Sequence, residues 1–289
     1  MTHVAPSGLL PRLMLIGAAL LFSTGGAAIK ATSITSWQTA GFRSAVAAAA
    51  LWLFVRESRA LGQWRVWAVG IAYASCLVLF VHATKLTTSA NAIFLQSAAP
   101  AWMLLLGPLL LKESVRRSDL LYAATLAGGM SLFFAGVQDP QSTAPDPFRG
   151  NVYGLLSSIA WAFTLAGLRW MAAHAQPGAA LATVTAGNLL AFAFCLPSAL
   201  PVTSFATQDA LLVLYLGFVQ IGAAYWLLTR GMRSVPAFES STLLLLEPVA
   251  NPIWTWFFHA ERTGPFAILG GLVILAATFT KTWLSRRKN

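Results

Sequence analysis

Seven polar or aromatic side chains stand near the centres of long hydrophobic stretches: Tyr73, Gln96, Trp102, Trp161, Asn188, Gln220 and Asn251. Polar groups at mid-depth in an apolar stretch are costly unless they face protein or a water-filled cavity. The amides of Gln96 and Gln220 can hydrogen-bond the amino and carboxylate groups of a zwitterion. An indole offers a flat apolar face that can line a cavity for an apolar or aromatic side chain. We therefore predict that these seven residues bind a small substrate.

A packing role competes with this interpretation at four of these positions. Trp102 and Trp161 are equally compatible with core tryptophans that are packed between helices. Gln96 and Gln220 can each form an interhelical hydrogen bond worth roughly 1 kcal/mol. The sequence leaves these alternatives open.

Three ionisable residues within the hydrophobic stretches are candidates for coupling or gating: Arg43, His82 and Glu247. Glu247 is the one carboxylate near the centre of such a stretch. If the protein moves a solute across a membrane, a change in the protonation of Glu247 would couple that movement to a proton gradient. The structural alternative is that Glu247 hydrogen-bonds backbone freed by Pro248. Arg43 is suited to hold a substrate carboxylate, to pair with Glu247 or to extend towards the membrane surface. His82 is suited to titrate near neutral pH or to lie at the interface.

Motifs for enzyme chemistry are missing from the sequence. It contains no GxxxxGK[ST] phosphate loop, no HExxH and no Cys/His cluster at metal-ligand spacing. Cys76 and Cys195 both lie in apolar stretches and are expected to be buried, unpaired residues. The prediction is a protein that is not an enzyme and needs no cofactor or metal.

Ten hydrophobic stretches must position these residues. Hydrophobic residues make up 57% of the 289 positions and charged residues 10%, with a mean hydropathy of +0.68. About 20 apolar residues in a helix cross roughly 30 Å of hydrocarbon. The sequence thus predicts an all-α integral membrane protein. Its expected helices are 10–29, 36–55, 64–82, 88–111, 119–137, 150–173, 178–200, 209–229, 237–259 and 265–284.

Most of the Lys and Arg residues that give the chain its net charge of +10 lie at the ends of these stretches. With the N-terminus inside and ten crossings, most of the 19 Lys and Arg residues fall on the inner side, as the positive-inside rule requires. We therefore predict both termini in the cytoplasm, a lipid bilayer as the surroundings and no nucleic-acid partner. The first stretch is expected to be a retained helix rather than a cleaved signal.

One pattern occurs twice along the chain. Pro100 and Glu113 are 13 residues apart, as are Pro248 and Glu261, and the two pairs are offset by 148 residues. The same offset aligns His82 with Arg230 and Lys85 with Arg233, while an offset of 139 aligns Phe22 with Trp161 and Lys30 with Arg169.

The duplication predicts two five-helix repeats, 1–144 and 145–289. Because five is odd, the two copies must enter the membrane from opposite sides. Inverted repeats of this kind surround a midplane site in alternating-access transporters. Pro100 and Pro248 are expected to kink their helices and to act as hinges around this central cavity.

The chain resembles the EamA-type, ten-helix exporters of the drug/metabolite transporter superfamily. The resemblance is carried by LLLLEPVANPIWTWFFHAER at 243–262 and by FLQSAAPAWMLLLGPLLLKES at 94–114. Each half continues into a helix with paired glycines, Gly128–Gly129 and Gly270–Gly271. The link from Glu113 to Gly128 departs from the pattern because it is longer than the link from Glu261 to Gly270.

The resemblance implies a secondary transporter in the bacterial inner membrane that exports amino acids and related small metabolites. The chain is most similar to aromatic amino-acid exporters, and a monomer or homodimer is expected. An alternative within the superfamily is a multidrug or sugar-phosphate/nucleotide-sugar exchanger, which should need more buried cations than Arg43, Lys30 and Lys85. A membrane enzyme acting on lipid would need clustered acids or histidines at one interface, and a receptor would usually carry a soluble signalling domain. The sequence has neither.

Overall fold

The computed structural model describes residues 8–111, 117–172 and 178–286, and this part of the chain is almost entirely helical. The only extended pairing within these ranges is an isolated bridge between Gln141 and Ala144. The all-α prediction is therefore confirmed. Glu113, one of the two repeated glutamates, lies outside the described residues.

The first half contains five helical segments, two of them interrupted. They are α1 (Leu9–Ser23 and Gly25–Ala31), α2 (Ser36–Phe54), α3 (Trp64–Leu86), α4 (Ser89–Gln96 and Ala99–Leu106, extended by a π-helical turn over Gly107–Leu111) and α5 (Arg117–Ala135). A capping box at Thr35 begins α2: its hydroxyl accepts from Gln38 N–H, and the Gln38 side chain accepts from Thr35 N–H.

The second half follows the same scheme. Its segments are α6 (Pro147–Ala172), α7 (Ala179–Ala199), α8 (Thr207–Leu214, a π-helical stretch Tyr215–Ala223, then Ala224–Met232), α9 (Ala237–Leu244 and Leu246–His259) and α10 (Pro265–Arg286).

Eight of these segments are long and apolar enough to cross a membrane, judged by length and composition within the described ranges. The segments α2 and α9 are not among the eight. Each carries polar residues that lower its hydropathy, notably Arg43 in α2 and Glu247 with Asn251 in α9. The chain is a multi-pass membrane protein. The number of crossings is ten if α2 and α9 also cross the membrane.

Two of the helix breaks lie next to the central prolines of the sequence. The break in α4 at Ser97–Ala98 precedes Pro100, and the break in α9 at Leu245 precedes Pro248. Both prolines occupy the first turn of the second piece, where the missing N–H leaves no hydrogen bond unmade. Discontinuous helices at membrane depth are typical of sites that line a cavity.

Helix contacts between the halves follow a two-fold pattern. The contact of α3 with α6 corresponds to the contact of α8 with α1, and the contact of α4 with α6 corresponds to that of α9 with α1. The pairs α2–α7 and α5–α10 each join equivalent helices of the two halves. At the α5–α10 crossing, a Cβ built on Gly270 would lie 2.7 Å from the carbonyl oxygen of Gly129. Only glycine permits this approach, in keeping with the small-residue contacts of membrane helices.

Candidate functional site

A cavity of about 260 Å³ lies between the two halves. Six residues named from the sequence line it, three from each half: Arg43, Tyr73, Gln96, Trp161, Gln220 and Glu247. Phe22, Cys76, Tyr225 and several aliphatic side chains complete the wall. Residues more than 200 positions apart along the chain thus converge on one space near the middle of the bundle.

Aromatic rings form one side of this cavity. The ring of Tyr73 lies between Trp161, at a centroid distance of 6.3 Å, and Tyr225, at 5.8 Å and perpendicular to it. Phe22 meets the other side of Tyr225 edge-on at 5.0 Å. Such offset and edge-to-face pairs are the favoured aromatic geometries. They leave a flat apolar wall that can receive a further ring or an aliphatic chain.

Arg43 presents a buried cation with few partners. The residue is 2% exposed, its Nη2 donates to the Leu77 carbonyl at 3.3 Å, and its Nε has no hydrogen-bond partner among the described residues. A guanidinium has five N–H donors, and leaving a buried charge uncompensated is costly. Its burial excludes an extension towards the membrane surface, one of the three alternatives for this residue.

Glu247 supplies the opposite charge on the same cavity. It is the second residue of the helix piece that restarts after the break in α9, and its side chain is half-buried. Among the ion pairs of the described residues, none joins Glu247 to Arg43. Direct pairing, the second alternative for Arg43, is therefore absent, and cation and carboxylate both face the cavity.

The two glutamines are held differently. Gln96 Nε2 donates to Ser157 Oγ at 2.8 Å and to Cys76 Sγ at 3.2 Å, so this amide links α4 to α6 and α3. Gln220 Nε2 donates to the Phe22 carbonyl at 3.3 Å, while its buried Oε1 has no partner within the described ranges. Gln220 therefore keeps an acceptor that a substrate donor can use.

The other four named residues lie outside the central cavity. Trp102 Nε1 donates to Ser158 Oγ at 2.7 Å, and Asn188 Nδ2 donates to the Val184 carbonyl of its own helix at 2.8 Å. Asn251 Oδ1 accepts from Ser89 Oγ at 2.6 Å, and its Nδ2 donates to the Ser23 carbonyl at 3.1 Å. The contact of Trp102 corresponds to the packing role described above, while Asn188 bonds within its own helix and Asn251 links α9 to α4 and α1.

His82 lines a separate groove beside Trp37 and Tyr153. Both cysteines are buried and free, as expected from their apolar surroundings.

Tyr225, Phe22 and the ion pair Lys30–Glu261 were not among the site residues predicted from the sequence. Phe22 was visible as the repeat partner of Trp161. Tyr225 stands in the same uncharged stretch as Gln220, and its polar aromatic character was the available signal. Lys30 and Glu261 stood at helix ends, where charged residues are usually solvated.

One end of the bundle is closed by a buried polar network. Lys30 Nζ lies 2.9 Å from Glu261 Oε2, with side-chain exposures of 4% and 1%. Lys30 also donates to the carbonyls of Thr87, at 2.9 Å, and Thr143, and Ser89 N–H donates to Glu261 Oε1 at 2.7 Å. This network ties the end of α1 to the start of α4 and to the segment after α9.

Two ion pairs at the opposite end are exposed, and a third, Lys281 with Asp119, is partly buried, with side-chain exposures of 31% and 11%. Arg12 with Glu239 has side-chain exposures of 39% and 32%, and Arg233 lies 3.6 Å from Glu57 with exposures of 63% and 44%. The pKa of Glu57 is lowered from its ordinary value, first by a hydrogen bond from its own backbone N–H and then by the charge of Arg233. The two ends of the protein are thus held by electrostatic contacts of different strength.

A multi-pass helical bundle with a polar and aromatic cavity between two similar halves is an arrangement typical of membrane transport proteins. Within that class the chain belongs to the EamA-like transporter family, whose model matches residues 9–135 and 148–282. This membership confirms the resemblance inferred from the sequence. Transport, rather than catalysis, is the activity that the family name carries.

Two relatives accompany the family match. An uncharacterized transporter, YwfM of Bacillus subtilis (strain 168), is 36% identical over 70 residues, which cover 22% of this chain and 24% of the relative. The matched region thus spans about a quarter of that relative. A solved chain described as "Crystal structure of protein" superposes with a TM-score of 0.63 at 21% identity, over 96% of this chain and 97% of the other. That likeness concerns the fold alone.

Proposed function

We propose that this transporter exports amino acids, aromatic or other largely apolar ones, and related small metabolites from the cytoplasm by alternating access. The observation that carries the proposal is that Arg43 and Glu247 face one cavity without pairing with each other. A zwitterion supplies the missing partner for each: its carboxylate binds the Arg43 guanidinium and its ammonium binds the Glu247 carboxylate. Its side chain packs on the wall of Tyr73, Trp161 and Tyr225.

Cavity size and charge favour this class over the alternatives within the superfamily. Sites for drug-sized ligands usually measure about 300–1,000 Å³, and this cavity is smaller, at about 260 Å³. A sugar phosphate or nucleotide sugar would meet one cation, Arg43, and would have to lie beside Glu247. Neither Lys30 nor Lys85 lines the cavity, so neither supplies a second phosphate ligand there.

The unequal closure of the two ends supports export by alternating access. With both termini in the cytoplasm of a bacterial inner membrane, the buried Lys30–Glu261 network closes the outer end and the exposed ion pairs lie at the inner end. A substrate enters from the cytoplasm, and the outer network then opens. The breaks before Pro100 and Pro248 are the hinges for this movement.

The two five-helix repeats, 1–144 and 145–289, are the inverted units that exchange these states. The reciprocal helix contacts support this division. Both halves of one chain contribute to the cavity wall, and the transporting unit is a monomer or a homodimer.

Counterflow in proteoliposomes tests the proposed function. Liposomes that contain the purified protein and are loaded with unlabelled phenylalanine should accumulate labelled phenylalanine and leucine, and liposomes without protein should not. Glucose 6-phosphate and a nucleotide sugar should not exchange. Exchange of the phosphorylated compounds with no exchange of any amino acid would overturn the substrate assignment while leaving the transporter class intact.

A further inference from the structure

A second cavity, of about 480 Å³, lies between α2, α3, α6 and α7. It shares no lining residue with the central cavity. Ile71 and Phe194 on its rim are 61% and 67% exposed, although both belong to membrane-spanning segments. The groove therefore opens sideways to lipid rather than to either aqueous compartment.

The groove is apolar along most of its length and polar at one end. Ala74, Val78 and Leu190 line the apolar part, and His82 and Tyr153 form the polar end. His82 is four residues before the end of α3 at Leu86, which places it about 6 Å inside the helix end at 1.5 Å per residue. By the same count Tyr153 lies about 9 Å inside the start of α6. This is the depth at which lipid headgroups meet acyl chains.

The His82 side chain has a hydrogen-bond acceptor, Nε2, to which no donor of the described residues is bonded. Its Nδ1 lies 2.9 Å from the Val78 carbonyl, which can only accept, so the proton resides on Nδ1 and Nε2 is an acceptor. Nε2 is buried and has no partner among the described residues. The ring is held by Trp37, at a centroid distance of 4.4 Å, and by Tyr153, at 5.6 Å.

A cation stands at the mouth of the polar end. Arg149 Nη2 donates to the Tyr153 hydroxyl at 3.2 Å, and its guanidinium lies 5.6 Å from the centre of the Tyr153 ring. The side chain is exposed, so most of its donors face outwards. From the bilayer surface inwards, the groove thus presents a cation, a hydrogen-bond acceptor and an apolar slot.

We propose that this groove binds a monoacyl glycerophospholipid with an anionic headgroup. The single acyl chain fills the apolar slot, the free glycerol hydroxyl donates to His82 Nε2, and the phosphate binds Arg149. A diacyl lipid lacks the free hydroxyl at that depth, and a zwitterionic headgroup weakens the attraction of the phosphate to Arg149.

Binding at this groove bears on the central cavity through α3. Ala74, Val78 and His82 line the groove, while Tyr73 and Cys76 line the central cavity from the other side of the same helix. A bound lipid packs against α3 and restricts its movement. The inference does not depend on the identity of the transported substrate, so its test uses binding alone.

Native mass spectrometry of the full chain in phosphatidylcholine nanodiscs tests the proposal by titration with lysophosphatidylglycerol. We expect saturable binding of one molecule, with lysophosphatidylcholine and diacyl phosphatidylglycerol each about tenfold weaker. Arg149→Gln and His82→Phe should each weaken binding. Ser75→Trp should abolish it, because Ser75 is an exposed lining residue whose hydroxyl bonds only to its own helix.

Ser131→Trp is the matched control. Ser131 is also an exposed serine that bonds a carbonyl of its own helix, α5, and it lies away from the groove. This variant should bind like the wild type. Equal affinities for lysophosphatidylglycerol and lysophosphatidylcholine would overturn the proposal, as would unchanged binding in Ser75→Trp or tighter binding of the diacyl lipid.

Discussion

Lys30 Nζ lies 2.9 Å from Glu261 Oε2, and this buried pair joins the end of α1 to the segment that follows α9. The sequence offsets that define the repeat align Lys30 with Arg169 and Glu261 with Glu113. Glu113 lies outside the described residues, so the counterpart of the pair is known from sequence only. The alignment predicts a corresponding pair of charges, Arg169 with Glu113, at the other end of the transporter.

Breaking the buried pair on one side should destabilise the protein strongly. Lys30→Met leaves the Glu261 carboxylate buried without its cation, which typically costs about 3–5 kcal/mol. The double variant Lys30→Met/Glu261→Gln should recover most of that loss, because no charge remains buried. Chemical unfolding in detergent measures both. Arg233→Met, which removes an exposed pair, should cost at most about 1 kcal/mol, and a loss as large as that of Lys30→Met would contradict the assignment.

Opposite orientation of the halves predicts the sidedness of two exposed loops. Thr203→Cys, between α7 and α8, should react with an impermeant maleimide added outside intact cells, and Gly62→Cys, in the equivalent loop between α2 and α3, should react only after lysis. Cys76 and Cys195 are buried, so the unmodified chain should give little background. Labelling of both new cysteines from one side would refute the inverted repeat.

Arg43 should contribute to binding at a cost in stability. Arg43→Met removes a buried charge with one long hydrogen bond, and replacement of buried charges by apolar groups is often neutral or stabilising by about 1–4 kcal/mol. The same change should lower phenylalanine affinity roughly 10- to 100-fold, because a hydrogen bond to a charged group is worth about 1.5–3 kcal/mol. Thermal unfolding and equilibrium binding measure the two effects.

The exposed Arg56→Met is the control for Arg43 and should change neither quantity. A variant at Arg43 that loses both stability and binding would indicate a structural role for the guanidinium. Retained affinity in Arg43→Met would remove the residue from the substrate site.

The sequence indicated how deep in the membrane a polar residue lies. It did not indicate whether that residue lies on the side of its helix that faces the cavity. Gln96, Trp161, Gln220 and Glu247 were found because mid-helix polar groups stand out against apolar neighbours. Asn251 satisfied the same criterion, yet its amide bonds Ser89 and Ser23. Membrane helices are apolar on every face, so no amphipathic stripe tells which side meets a cavity.

Long-range pairing was also beyond the sequence. The repeated Pro and Glu spacing predicted two similar halves and the positions of helix breaks. It did not indicate that Lys30 would meet Glu261, because that contact depends on how the ends of α1, α4 and α9 converge. Tyr225 escaped notice for the same reason, since its contact with Tyr73 joins the two halves.

Replacement of Trp161 should change substrate affinity, whereas replacement of Trp102 should change stability. Trp161→Leu removes a ring that packs on Tyr73 in the cavity, so phenylalanine affinity should fall about 3- to 10-fold, from an aromatic contact of roughly 0.5–1.5 kcal/mol, with leucine affinity changed less. Trp102→Phe removes the hydrogen bond to Ser158 and should lower stability by about 1 kcal/mol without changing substrate selectivity. A selectivity change in Trp102→Phe alone would reverse the two roles.

A ligand that lacks an ammonium group should show whether the Glu247 carboxylate binds the ammonium of the substrate. Glu247→Gln should weaken phenylalanine binding, because the neutral amide replaces the carboxylate that receives the ammonium, while 3-phenylpropionate, which has only the carboxylate, should bind the variant at least as well as the wild type. Arg43→Met should weaken both compounds, so the two variants give different patterns for one ligand pair. If Glu247 also exchanges a proton during the cycle, an imposed pH gradient should drive uptake in wild-type proteoliposomes and not in Glu247→Gln, with counterflow retained. Equal loss of both ligands in Glu247→Gln would show that the carboxylate supports the cavity wall instead of contacting the ammonium.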